Sequence, residues 1–351
     1  MIDKISLVKD LTEAEGASGF EENVVDIIKK YGKDFLFESD SIKNAYLGDL
    51  SSPLIMLDSH TDEVGFIVRF IDENGLISIL NLGAIVPFQI GSNVIKVRGK
   101  DGKYYEGVIS SKPIHFMEKE ELNRAPEIED IKIDMGGYSR EELLRLGIGP
   151  GSPVVPATKF SFNEEKKIYR SKAFDNRLGC AASILLMEKL KENGLDKKVV
   201  AAFASQEEVG GRGAEITARK VNPKYAIVFE GSPSDDYFVD AYKEQCKING
   251  GPQIRHYDGS YISDELLIYF AIKAAEKLNI NIQHAVRKGS GTNAGIIHRS
   301  NLGVRCLVVG IPSRYIHSFV GYSSLADLEN SVDLAFEVIK QILIYEEGEN
   351  V

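Results

Sequence analysis

Two textures alternate along this chain, and their order restricts its fold more than any other feature. Outside residues 64–159, short apolar runs alternate with segments of helical periodicity, the pattern of an α/β sheet covered by helices. Inside that stretch, FIVRFI, LISIL, VIKVRG and YYEGVI are separated by turn signals such as Glu73-Asn74-Gly75 and Lys100-Asp101-Gly102. The order predicts one α/β domain interrupted by a small all-β insert, not two units in tandem. A length of 351 residues agrees, because ~150 residues per domain gives about two.

Within the α/β part the opening segment reads as a helix, and Ser18-Gly19-Phe20-Glu21 reads as a capping box that starts the amphipathic stretch Asn23–Tyr31. Pro53–Asp58 (PLIMLD), Val199–Ala204, Tyr225–Phe229 and Val304–Val309 read as buried strands. Helical spacing covers Asn176–Lys191, Arg212–Lys220, Ser263–Leu278 and Leu325–Tyr345. In the insert, Met117–Arg124 reads as a solvated charged face and Glu141–Leu146 as one or two helical turns.

Composition narrows the functional classes. With 42 Lys+Arg against 52 Asp+Glu, the net charge of −10 gives no general attraction to phosphate backbones or anionic membranes, so neither nucleic acid nor membrane is an expected partner. Cys180, Cys246 and Cys306 are odd in number and widely spaced in apolar surroundings, which suits reduced core thiols. The segment MIDKISLVKDLTEAEG lacks an apolar signal core, and no later run approaches the ~18 apolar residues of a spanning helix. The cytoplasm is the expected compartment.

Chemistry-bearing residues fall just beyond the expected strands. His60 and Asp62 follow PLIMLD, Glu207 and Glu208 follow VVAAFASQ, Glu230 follows YAIVF, and His317 lies seven residues past the Val304–Gly310 run. Asp175 and Asn176 open a helix after a hairpin signal at Asn163–Lys167. Loops at the carboxyl ends of strands in an open α/β sheet converge on one crevice, so two histidines and several carboxylates arriving this way point to a metal site. Imidazole and carboxylate donors without thiolate suit zinc, cobalt or manganese. The His60-Thr61-Asp62 spacing lets Asp62 hold the His60 ring. Adjacent glutamates point in different directions, which fits one binding metal and one acting on its water, and not the ~5–9 Å opposed pair of a glycosidase. His115 lies inside the insert, where a structural turn residue is favoured over one that approaches a site on a partner subunit; His256, His284 and His298 have no ligand-like neighbours. The Gly289–Gly295 loop lacks the Lys-Ser/Thr ending of a phosphate loop and reads as a substrate-shaping turn.

At these residues the chain resembles the dinuclear metallo-aminopeptidases of the glutamyl aminopeptidase and tetrahedral aminopeptidase (TET) family. The resemblance rests on SHTDEVGF at 59–66, AFDNRLGC at 173–180, QEEVGGRGA at 206–214 and GIPSRYIHS at 310–318. It implies five ligands, His60, Asp175, Glu208, Glu230 and His317, for two divalent ions, with Asp175 bridging them. Zinc or cobalt comes first and manganese third. It further implies Glu207 as general base and Asp62 as the carboxylate that orients histidine. The implied reaction releases N-terminal amino acids from short peptides through a metal-bridging water. The implied architecture is a mixed-sheet catalytic domain flanked by helices (1–65 and 160–351) carrying a β-barrel-like dimerisation insert (66–159), with dimers assembling into a tetrahedral dodecamer. Three positions depart from the family pattern: Glu230 where aspartate is frequent, Asn293 where G-T-D-A is common, and Phe319 where H-S-P is common. They bear on substrate preference more than on metal chemistry.

Two other enzyme classes and one non-enzymatic class compete. Some sequences of this kind are labelled endo-1,4-beta-glucanases, against which the adjacent glutamates count. Aminoacylase or deacetylase-like amidohydrolases have similar ligands but carry their extra domain after the Glu-Glu pair, whereas here the insert lies in the 115 residues between His60 and Asp175. An assembly protein with a degenerate site would lack the full set of candidate ligands.

Overall fold

The apolar run at residues 53–58 ends up in the middle of the molecule because both of its faces are covered. In the computed structural model, which describes residues 2–289 and 291–348, the chain opens with α1 (Lys4–Glu13) and α2 (Glu22–Tyr31). An edge hairpin, β1 (Phe37–Ser39) and β2 (Ala45–Leu47), leads to β3 (Ile55–His60), buried at every position. The chain then leaves the sheet for β4 (Gly65–Ile71), β5 (Ile77–Leu82), β6 (Val94–Arg98), β7 (Tyr104–Ile109), β8 (Lys132–Asp134), the short α3 (Arg140–Arg145) and β9 (Pro153–Pro156). These six strands close into an antiparallel barrel in the order β4-β5-β8-β7-β6-β9. Closure leaves no open sheet edge, and Phe66, Val68, Ile79, Ile95 and Val97 fill the interior at the inward positions of alternating strands.

After the barrel come β10 (Ser161–Asn163), β11 (Ile168–Ser171), α4 (Phe174–Glu192), β12 (Val199–Ala204), α5 (Arg212–Val221) and β13 (Tyr225–Pro233). The rest is β14 (Gln253–Asp258), β15 (Tyr261–Ile262), α6 (Glu265–Leu278), β16 (Gln283–Val286), α7 (Ala294–Ile297), β17 (Arg305–Arg314), β18 (Gly321–Ser324) and α8 (Leu325–Glu346). The main sheet runs β1-β2-β12-β3-β13-β17-β18-β11-β10, with β14 attached to β17. Its centre, β12-β3-β13-β17, is parallel, and its margins are antiparallel. Alternation decides which face each residue serves. Leu57, Phe203 and Ile227 pack with α1, α4, α6 and α8, while Met56, Val200 and Val228 pack with α5 and α7. Among the described residues, no helix is long and apolar enough to cross a membrane.

Three local expectations change. Ser18-Gly19-Phe20-Glu21 is not a capping box: Glu21, at the start of α2, makes no side-chain cap bond, because Ser18 and Glu21 turn inward to partners across the fold. The last parallel strand continues to Arg314, so His317 follows it by three residues. Phe319 is a core residue of the barrel, its ring 6.2 Å from that of Phe66, so its departure from the family pattern concerns packing between the two parts of the chain.

Candidate metal centre

Parallel strands present their carboxyl ends on one side, and the loops there bring the candidate ligands together. His60 ends β3, Glu230 lies in β13, Glu207 and Glu208 follow β12, His317 follows β17, and Asp175 sits in the first turn of α4. The two oxygens of Asp175 address the two histidines separately. Oδ1 lies 3.0 Å from His60 Nε2 and Oδ2 lies 3.3 Å from His317 Nε2. Glu230 Oε1 is 3.5 Å from His60 Nε2, and Glu208 Oε2 is 3.6 Å from His317 Nε2. Donor atoms of His60, Asp175 and Glu208 also lie within 4.8 Å of one another, close enough to hold a metal ion. Glu207 Oε2 stands at 3.9 Å from His60 Nε2, at the border of this group.

The far side of each ring is tied down, which fixes the nitrogen that faces the centre. His60 Nδ1 is 3.3 Å from Asp62 Oδ1, whereas His317 Nδ1 is 3.1 Å from the Ala84 carbonyl, in the loop leaving β5 of the barrel. The barrel therefore touches the centre directly. A Cβ on neighbouring Gly83, where φ is +88°, would come within 3.1 Å of Glu208 Oε2 and 2.8 Å of Val64 Cγ1. Asp62 does more than orient a ring: its carboxylate also accepts the backbone N–H groups of Glu207 (2.9 Å) and Glu208 (3.1 Å) and the Ser18 hydroxyl (2.6 Å). Gln206 and His317 take left-handed backbone conformations, with φ of +56° and +58°, so both loops are held by their surroundings and not by local preference.

Packing so many carboxylates under low solvent access perturbs all of them. Burial, reinforced by the charges of Asp62 and Asp175, pushes Glu207 up to about 7. Burial and Asp175 push Glu230 up to about 8 and Glu208 well above its ordinary range. Burial opposes ionisation of Asp175 too, but hydrogen bonds from His317 and His60 outweigh it and hold this carboxyl well below the usual range. The same carboxylates overcome the burial of the imidazoles, taking His317 up to about 10 and His60 well above its ordinary value. Glu208 Oε1 and Glu230 Oε2 are buried without any hydrogen-bond partner. Orphaned carboxylate oxygens among two imidazoles, with no thiolate, fit divalent cations as their missing counterpart.

The cluster forms the floor of a cavity of about 750 Å³, whose walls include Arg255, Arg299, Ser260, Thr292 and Ile296. Arg255 is 2% exposed and reaches Ser232 Oγ at 3.1 Å, while its Nε has no partner. A profile of the M42 glutamyl aminopeptidase family matches residues 43–334.

The chain belongs to the M42 glutamyl aminopeptidase family. It is therefore a peptidase hydrolase of the aminopeptidase class. The glutamyl aminopeptidase of Lactococcus lactis is 30% identical over 325 residues, covering 89% of this chain and 88% of its own. The crystal structure of the TET aminopeptidase from a marine sediment archaeon of the Thaumarchaeota superposes with a TM-score of 0.92 at 35% identity, covering 98% and 99% of the two chains. The TET1 peptidase of Pyrococcus horikoshii, described as assembling into a tetrahedron or a large octahedral shell, gives a TM-score of 0.85 at 30% identity, with 96% and 99% coverage.

In this M42 chain all seven residues singled out in the sequence, His60, Asp62, Asp175, Glu207, Glu208, Glu230 and His317, meet at one place. His115 does not join them; it is exposed in the turn Ile114–Phe116 of the barrel. Asn293 donates to the buried Asp58 carboxylate at 2.9 Å, and Gly291 and Gly295 line the cavity, while Ser290 lies outside the described residues. His256 and His284, neighbours on β14 and β16, form a hydrogen-bonded pair at 2.8 Å that the sequence did not suggest. Arg255 was missed as well: it sits in a polar strand, QIRHYD, which has no apolar run to draw attention to it. The three cysteines are free and buried, as expected.

Proposed function

We propose that this protein is a metal-dependent aminopeptidase that releases N-terminal amino acids from short peptides, acidic residues first among them. The observation that carries the reading is Asp175, whose two oxygens face two separate histidine-carboxylate pairs. His60, Glu230 and Asp175 would hold one divalent ion, and His317, Glu208 and Asp175 the other, zinc or cobalt before manganese. When bound, such a pair polarises a scissile carbonyl and lowers the pKa of water. Glu207, beside the two pairs, takes the proton from the attacking water and passes it to the leaving amine. Asp62 holds the His60 ring and the backbone of Glu207 and Glu208, so that base and ligands keep one geometry. Arg299 at the cavity wall, with the buried Arg255 whose guanidinium also lies 3.4 Å from Asp258, gives a place for the side chain of an acidic first residue, in keeping with the name of the Lactococcus relative.

A glycosidase reading lacks comparable support, since Glu207 and Glu208 turn to the two imidazoles and do not oppose each other across a bond. We infer further that residues 66–159 form a dimerisation unit set into a catalytic domain of 1–65 and 160–351, and that dimers build a tetrahedral dodecamer. Exposed Phe88, Ile114, Phe116 and Leu122 on the insert support this. The test is hydrolysis of glutamyl, lysyl and leucyl anilides and of carboxymethylcellulose before and after chelation. The glutamyl substrate should be cleaved with the highest kcat/KM, lose activity on chelation and regain it with zinc or cobalt. Chelator-resistant activity, or cleavage of cellulose alone, overturns the reading.

A further inference from the structure

We propose that Glu21 is a positioning residue for Glu207, and that the Ser18–Glu21 segment is part of the catalytic frame instead of a helix cap. The proposal rests on the reading of Glu207 as general base. The turn that presents Glu207 offers three successive backbone N–H groups, from Gln206, Glu207 and Glu208, around a left-handed Gln206 with φ of +56°. Successive N–H groups in such a turn form a concavity that favours an anion. Here the protein supplies the acceptor oxygens itself, from the side chains of Asp62 and Glu21. Glu21 Oε1 accepts from Gln206 N–H at 3.1 Å, and Asp62 accepts from Glu207 N–H at 2.9 Å and Glu208 N–H at 3.1 Å.

The two carboxylates are locked in turn from the same segment. Ser18 donates to Asp62 at 2.6 Å, and Gly19 N–H donates to Glu21 Oε1 at 2.7 Å. Glu21 is fully buried, and its second oxygen has no hydrogen-bond partner, an arrangement too costly to persist as mere helix decoration. Nothing among the described contacts connects Glu21 to a candidate ligand side chain. Its influence therefore passes through the backbone of residue 206 to the base that follows it.

The experiment compares Glu21→Ala, Glu21→Gln and Glu207→Gln with the wild type in the metal-reconstituted full chain, reading kcat, KM, bound metal and melting temperature on the same samples. Glu21→Ala should lower kcat by about 10- to 100-fold, as a shift of the order of 1 Å in a catalytic group does, with KM and metal content unchanged. Glu21→Gln keeps an acceptor oxygen for Gln206 N–H and should recover kcat to within about threefold of wild type, because the bond is geometric. The proposal is overturned if Glu21→Ala keeps wild-type kcat, if its loss tracks lost metal or lost folded protein, or if glutamine fails to rescue. Wild-type turnover in Glu207→Gln would instead overturn the general-base reading itself, so the two failures are told apart.

Discussion

Glu21 also makes stability depend on pH in a direction that its surroundings dictate. Burial first, and then the neighbouring charge of Asp62, push it up to about 7 from 4.5. Between those values the folded chain holds a proton that the unfolded chain has released, so stability falls as pH rises through the interval. The contribution is complete below about 4.5 and gone above about 7. Glu21→Gln should remove that fall, which is worth about 3 kcal/mol, in urea unfolding of the chelated protein at pH 4.5 and 7.5. Equal pH slopes for the two proteins would count against it. Residues of the centre itself were legible in the sequence because each follows a strand or opens a helix, and parallel topology gathers such positions. The support of Ser18 and Glu21 was not, since S-x-x-E satisfies a local capping pattern and the true partner of Glu21 is 185 residues away.

Among the elements, the loop after β5 of the barrel is closely confined by the centre. Ala84 holds the His317 ring, and Gly83 leaves no room for a side chain against Val64 and Glu208. Gly83→Val should weaken the His317 side of the centre by about 10- to 100-fold in metal affinity while leaving the His60 side, framed by Asp62, intact. Calorimetric titration of the chelated protein reads this as one strong and one weakened equivalent; two unchanged equivalents would refute it. Of the elements with apolar periodicity, β12, α5 and α8 were readable to within a residue or two. By contrast β14 and β16 carry QIRHYD and QHAV, and context makes them strands: β14 pairs with the edge of β17, and β16 pairs in turn with β14. Phe319 shows the same dependence on context: nothing local in GIPSRYIHSF marks it as core, yet between β17 and β18 it packs into the barrel core.

For the whole molecule, the barrel completes the centre from one side, and in the proposed assembly its exposed Phe88, Ile114, Phe116 and Leu122 face another copy. If these residues form the proposed dimer contact, Ile114→Asp combined with Phe116→Asp should break it and shrink the particle seen in light scattering, because buried charge opposes association. A particle size unaffected by these changes would move the interface elsewhere. The net charge of −10 counts the carboxylates of the centre as free, whereas two divalent ions would supply about four positive charges there. Glu207, in the proposed reaction, serves as base beside two metal ions that it does not hold. That role is tested most directly by counting bound metal and glutamyl anilide turnover on the same sample of Glu207→Gln. The account predicts two ions per subunit, as in the wild type, with kcat down by about 10²-fold or more. Wild-type turnover, or loss of the metal along with the activity, would contradict it.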